Sequence, residues 1–93
     1  MSVQVVLPGV LAELAGGARH LDLDLPDGTL AELLDELELA HPVLVRRLRD
    51  ETGALRRYVN VYIDGIDVRG QRGLASAVGA DAVVRVLPST AGG

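Results

Sequence analysis

The sequence predicts a single α+β domain: a mixed β-sheet with one main helix packed on one face. Three observations lead there. Apolar residues alternate with their neighbours at period two in several separated segments, the mark of half-buried strands. Between the second and third of these segments lies an amphipathic helix pattern with a start signal in front of it. The length, 93 residues, allows one core and no second. Two strands, a helix and then more strands place the helix on one side of a sheet.

Val3, Val5 and Leu7 alternate with Gln4 and Val6, which makes a first strand ending at Pro8-Gly9. Residues 10–15 form a short connector of one helical turn, stopped by Gly16-Gly17. Leu21, Leu23 and Leu25 alternate with His20, Asp22 and Asp24, giving a second strand expected to pair with the first as a hairpin. Pro26-Asp27-Gly28 ends it. Thr29, with Glu32 three residues on, reads as a capping box. Leu30, Leu33, Leu34 and Leu37 then share one helical face, and Glu32, Asp35, Glu36 and Glu38 lie largely opposite as a solvated surface. His41-Pro42 stops this helix. Residues 43–49 read as a second short turn, and 50–53 as a loop.

Val59, Val61 and Ile63 alternate with Tyr58, Asn60 and Tyr62 in the next strand. Asp64-Gly65 is a tight-turn signal, and Ile66-Asp67-Val68 returns as a short strand. Residues 70–73 are a loop, and 74–78 read as one helical turn closed by Gly79. The last strand is expected over 82–87. The domain is therefore assigned to residues 1–87, and residues 88–93 to a flexible C-terminal tail.

Composition narrows the chemistry. The apolar share is 48 %, ample for a core and too high for disorder. Phe and Trp are absent and Tyr58 and Tyr62 are the only aromatics, so Val, Leu, Ile and Ala must build the interior. Cysteine is absent, which excludes disulfides, Cys-based zinc sites and a thiol nucleophile. All nine basic residues are arginines, so neither a P-loop nor lysine-linked chains can be built on this protein. The net charge of -4 argues against nucleic acid and anionic membranes as partners. The first residues carry no basic leader region and Pro8-Gly9 breaks the first apolar run, so a cytoplasmic protein is expected. His20 and His41 are too isolated for a metal site. Ser76, Ser89 and Thr90 lack a His/Asp arrangement that would activate them. Arg46, Arg47, Arg49, Arg56 and Arg57 read as a solvated basic stretch.

The ending is the most informative stretch. Pro88-Ser89-Thr90-Ala91-Gly92-Gly93 follows directly on the last apolar run. Two residues without Cβ make the thinnest thread a chain can offer, so a terminal carboxylate could enter a narrow slot. Six extended residues reach at most roughly 20 Å. Pro88 cannot donate a ladder hydrogen bond and is expected to help end the strand and free the tail.

The order of elements matches the β-grasp, or ubiquitin-like, fold. The chain resembles the MoaD/ThiS family of bacterial sulfur carriers in three segments: Arg57-Tyr58-Val59-Asn60-Val61-Tyr62-Ile63-Asp64-Gly65, Asp67-Val68-Arg69 with Gly73-Leu74-Ala75, and Val86-Leu87 through Gly93. Within that family the likeness is greatest to the CysO-type carriers of cysteine biosynthesis. The resemblance implies a carrier that is not an enzyme but a co-substrate of partner enzymes. Gly93 would supply the reacting carboxylate. An E1-like enzyme of the MoeB/ThiF type would adenylate it with ATP, and sulfur would convert it to a thiocarboxylate. A PLP-dependent cysteine synthase would consume that group, and a zinc metallopeptidase would release the product. The resemblance also admits the small subunit of a molybdopterin synthase, acting with the large subunit, and a ubiquitin-like protein modifier. ATP, PLP and zinc would all belong to partners, with no cofactor held by this chain.

Docking is expected to use the sheet face turned away from the helix. If Val84 and Val86 face the core, Val83, Arg85 and Leu87 face outward, with Tyr58, Asn60 and Tyr62 beside them. Leu87, Pro88, Ala91 and Gly92 would form the part of the tail that a partner grips.

Overall fold

The alternation of Val3 and Val5 with Gln4 and Val6 becomes strand β1, Val3–Val6, in the computed structural model, which describes residues 2–88. A four-residue helix α1, Gly9–Ala12, runs into a 3₁₀ turn, Glu13–Ala15. Gly16 stops it in the left-handed region, φ 68°, which glycine enters without a Cβ penalty. Strand β2, His20–Leu23, then returns antiparallel to β1, with Val3 opposite Leu23 and Val6 opposite His20. It ends two residues before Leu25, the last residue of the sequence pattern.

Strand β3 is only Gly28–Thr29, and helix α2 follows directly, Leu30–Ala40. Its start is the expected capping box. Glu32 N–H donates to Thr29 Oγ1 at 3.3 Å, and Thr29 N–H donates to Glu32 Oε1 at 2.9 Å. A further donor of the first turn, Leu30 N–H, reaches the Ser76 carbonyl at 3.0 Å, so this helix end leans on a distant loop. Of residues 43–49, expected as a short turn, 43–48 belong to a seven-residue helix α3, Pro42–Leu48, with proline in its first turn, and Arg49 is its extended C-cap.

Strand β4, Val59–Ile63, and the two-residue β5, Ile66–Asp67, form a hairpin through Asp64 (φ 51°) and Gly65 (φ 86°). Positive φ at both positions is what a two-residue hairpin turn of the I′ type demands. Residues 74–78 are helical only in their first two positions. A 3₁₀ turn spans Gly73–Ala75, and Ala77–Val78 is strand β6, paired antiparallel with β3. Helix-forming Leu and Ala gave the wrong local signal, because the pairing partner lies some fifty residues away. The last strand, β7, is Val83–Pro88, shifted by one residue at each end from the expected 82–87.

The main sheet runs β2-β1-β7-β4-β5. β7, last in sequence, is central in space, parallel to β1 and antiparallel to β4. The core lies between this sheet and the two longer helices. Val3, Val5, Val59, Val61, Val84 and Val86 meet Leu30, Leu33, Leu34, Leu37, Leu44 and Leu48, all buried. Glu32, Asp35, Glu36 and Glu38 are exposed. Part of the arginine stretch is structural rather than freely solvated. Arg49 pairs with Asp35 at 2.9 Å with its side chain only 16 % exposed, and donates from Nε to the Gly53 carbonyl. Arg56 Nε donates to the Arg46 carbonyl, near the C-terminus of α3.

The 50–53 loop is held by Asp50, whose Oδ1 accepts from the backbone of Thr52 and Ala54 and from the Thr52 hydroxyl. The Thr52 hydroxyl first, then the backbone donors and the Arg56 charge, hold this carboxyl below its ordinary 3.8.

Leu33→Ala should destabilise the domain by about 2–5 kcal/mol in urea unfolding, because it opens a cavity under α2. An unchanged midpoint would mean that the site collapses without loss. Asp50 should contribute to acid sensitivity. Its folded pKa lies below the unfolded one, so its contribution is present above 3.8 and is lost as pH falls through the lower folded value. Asp50→Asn should therefore flatten the pH dependence of stability below 3.8. Identical slopes in the two proteins would refute this.

Candidate functional site: the outer sheet face and the chain end

Alternation along β7 sets the site. Val84 and Val86 point inward at 1 % exposure each, so Val83, Arg85 and Leu87 point to the other side. Register then aligns β4 with them. Asn60 lies opposite Leu87, and Tyr62 opposite Arg85. Five of the expected docking residues therefore share one face: Asn60, Tyr62, Val83, Arg85 and Leu87. A shallow hollow lies on it, bordered by Tyr62, Asp64, Gly65, Val83, Arg85 and Leu87. Tyr58 is exposed but precedes β4, in a turn, and has no partner in the ladder.

Pro88 was expected to open the tail; it is the last residue of β7, opposite Val59. The ladder tolerates it there. Val59 N–H donates to the Arg56 carbonyl at 3.1 Å rather than across to β7. The position facing it needs no donor, so a proline costs no ladder bond. Leu87 and Pro88 are thus strand residues, and Leu87 is 38 % exposed. Ala91, Gly92 and Gly93 lie outside the described residues.

Two devices hold this face in register. Asp64 N–H donates to the Val83 carbonyl at 2.9 Å, and Val83 N–H donates to Asp64 Oδ1 at 2.9 Å, so a carboxylate extends the β4–β7 ladder into the turn. At the other end Arg69, on the 3₁₀ turn Val68–Gly70, grips the entry to β4. Its Nη1 donates to Asn60 Oδ1 at 2.9 Å and its Nη2 to the Arg56 carbonyl at 2.9 Å. Guanidinium only donates, so the Asn60 amide must turn its oxygen toward Arg69. Asp67 Oδ1 in turn accepts from Arg69 N–H and holds the 3₁₀ turn.

Register also adds residues that the sequence reading missed. β1 lies beside β7, with Val6 opposite Arg85, and β2 lies beside β1, with His20 opposite Val6. His20, Val6, Arg85 and Tyr62 therefore form one row across four strands. The alternation of His20 and Val6 with inward residues was visible, but the parallel β1–β7 pairing that joins them to Arg85 was not.

A separate hollow of about 330 Å³ lies beside α2, between Leu25, Leu33 and Val78, with Asp27, Glu32 and Glu36 at its rim. Thr29 and Glu32, the hydroxyl and carboxylate that meet in it, are engaged in the capping box of α2. Among the described residues no group of three or more His, Cys, Asp or Glu could hold a metal ion, and no helix is long and apolar enough to cross a membrane.

A helix crossing a five-stranded mixed sheet whose last strand is central defines a ubiquitin-like β-grasp protein. The chain matches the ThiS family over residues 5–93 and belongs to it. It is 35 % identical over 95 aligned positions to the sulfur carrier protein CysO of Mycobacterium tuberculosis, covering 100 % of both chains. The crystal structure of that protein superposes with a TM-score of 0.85 at 32 % identity, covering 95 % of this chain and 99 % of the other. SAMP1 of Haloferax volcanii gives 0.81 at 32 % identity, with 100 % of both chains covered. A chain in the crystal structure of the Amycolatopsis orientalis BexX/CysO complex gives 0.82 at 32 % identity, covering 98 % and 99 %. The protein is thus a homologue of ubiquitin-like sulfur carriers.

Arg69→Ala should lower stability by about 1–2 kcal/mol, through loss of charge-assisted bonds to main-chain carbonyls. It should also shift the Asn60 side-chain amide signals in ¹H–¹⁵N spectra. Unmoved Asn60 signals would show that the clamp does not orient that amide.

Proposed function

We propose that this chain is a sulfur carrier whose Gly93 carboxylate is converted to a thiocarboxylate and donates sulfur for cysteine biosynthesis. The observation that carries this reading is the end-to-end identity with CysO, 35 % with the whole of both chains covered. The carboxylate attacks the α-phosphorus of ATP on an E1-like enzyme of the MoeB/ThiF type, giving acyl-adenylate and pyrophosphate. A sulfide-level sulfur then displaces AMP and leaves the thiocarboxylate. That group adds to an aminoacrylate held by a PLP-dependent cysteine synthase. An acyl shift leaves cysteine amide-linked to Gly93, and a zinc metallopeptidase hydrolyses it off. ATP, PLP and zinc belong to those enzymes. This chain supplies the nucleophilic terminus and the surface that presents it.

The outer face suits that role. Asn60, Tyr62, Val83, Arg85 and Leu87 flank the strand that leads into the tail, so a partner gripping them would also receive residues 89–93. Tyrosine and arginine are residue types on which binding energy concentrates, and the aliphatics beside them add area from which water is excluded. Tyr58 is close in sequence and exposed enough to join the rim.

A second reading, a protein modifier joined through Gly93 to target amines, is favoured by the 32 % identity to SAMP1, described as a small archaeal modifier protein. A role as the small subunit of molybdopterin synthase rests on the shared fold alone, since the putative molybdopterin converting factor subunit of Pyrococcus furiosus is 22 % identical.

The decisive experiment loads the protein as its thiocarboxylate and mixes it with a cysteine synthase and its activated serine substrate. The product should be heavier than the unmodified carboxylate form by one cysteine residue, and heavier than the thiocarboxylate by the aminoacrylate alone, because the sulfur is already on the carrier. A stable thiocarboxylate that does not react would exclude the cysteine route, and higher-mass conjugates in cells would favour the modifier. Deleting Gly93 should abolish adenylation while leaving the melting temperature unchanged, because the described core ends with β7. A large drop in melting temperature would show that the terminus packs on the domain.

A further inference from the structure

The outer face is electrically polar along β7. At the end where Val83 lies, the neighbouring outward residues are Gln4, Asp22 and Asp64. At the Leu87 end they are basic. His20, Val6 and Arg85 stand in one row, and Arg19 precedes His20 directly. Arg19, His20 and Arg85 border a second hollow together with Val6, Pro8 and Leu87. Neighbouring strands are about 4.8 Å apart, so His20 and Arg85 are about 10 Å apart across Val6. All three polar side chains are exposed. Among the described residues the one salt bridge is Arg49 with Asp35, and no described carboxylate pairs with Arg19 or Arg85.

This concentration is unexpected in a chain of net charge -4. Two unpaired guanidinium groups on one patch repel each other, and they gain only when an anion sits between or beside them. Planar guanidinium recognises carboxylate in two-pronged fashion. Apolar Val6 and Leu87 between them would be covered by a partner of matching shape. The patch lies beside the last residues of β7, so whatever covers it also faces the point where the tail begins.

We propose that Arg19, His20 and Arg85 form a carboxylate-reading pole of the docking face. Its occupant is a cluster of Asp or Glu side chains on the partner enzyme, at the mouth of the channel that receives the tail. The acidic Asp22 and Asp64, one outward row away beside Val83, would repel the same cluster, so the charge order sets the direction in which the carrier docks. A protein surface fits better than a nucleic acid, because those acidic groups would confront a continuous phosphate backbone. This inference rests on the carrier reading and adds the chemistry of the partner's surface.

The test uses the full chain and the MoeB/ThiF-type adenylating enzyme of the same organism, reading ATP–pyrophosphate exchange against carrier concentration. Arg19→Glu and Arg85→Glu should each raise KM for the carrier by at least about tenfold with kcat little changed, since rim charges govern encounter. The ratio should shrink as salt rises from about 50 to about 300 mM, because the charges lie at a solvated rim. Arg47→Glu, on α3, makes the same charge change away from the patch and should leave KM unaltered. Unchanged melting temperatures would exclude misfolding. A wild-type chain that is adenylated while Arg19→Glu behaves like Arg47→Glu overturns this proposal and leaves the carrier reading intact. A wild-type chain that is never adenylated overturns both. Retention of the wild type on short duplex DNA, lost in Arg19→Glu, would overturn the assignment to a protein carboxylate.

Discussion

The whole architecture depends on the two hydrogen-bonded edges of β7. This strand closes the sheet from both sides, parallel to β1 and antiparallel to β4. Without it, the β1–β2 and β4–β5 hairpins share no ladder, and an isolated two-stranded hairpin is at best marginally stable in water. The same strand inserts Val84 and Val86 into the core under α2. The last described strand in sequence is therefore bounded by ladders on both sides.

That constraint divides the molecule by face. The inner side of β7 serves stability through valines packed on the leucines of α2 and α3. The outer side is free of that duty and can be composed for recognition. Asp64 and Arg69 serve both. Asp64 ties one end of β4 to β7 through the Val83 main chain, and Arg69 holds the entry to β4 through the Arg56 carbonyl, each from a position outside the core. A substitution there would move the outward residues relative to one another without removing any buried apolar area, so binding would suffer more than folding.

Much of this was legible in the sequence. Period-two alternation located β1, β2, β4 and β7, and the identity of the inward residues followed from it. Thr29 and Glu32 announced α2, and Asp64-Gly65 announced a turn that needs positive φ. What was not legible has a common physical cause. β3 and β6 are two residues each, too short to show a period, and they exist because each pairs with the other across the fold. Their sequences speak for other things locally: Thr29 for a helix cap, and Leu74 to Val78 for a helical turn. Pro88 announced a strand end, but the ladder accommodates it at a position that needs no donor. The His20–Val6–Arg85 row escaped for the same reason. It is created by a parallel pairing between the first and last strands, and no local pattern encodes that neighbour relation.

The division of labour has a consequence for specificity. The proposed chemistry resides in a glycine carboxylate, a group that is the same in any carrier that ends in glycine. Partners cannot be told apart by the reacting group. They must be told apart by the surface beside it, where discrimination is a difference between good contacts with one enzyme and bad ones with another. A polar face is well suited to this. Basic groups near the tail and acidic groups one outward row behind them favour one orientation of one acidic partner, and they penalise a partner whose charge runs the other way. Charge order along β7, rather than the Gly-Gly end, is then what would separate one sulfur-transfer route from another.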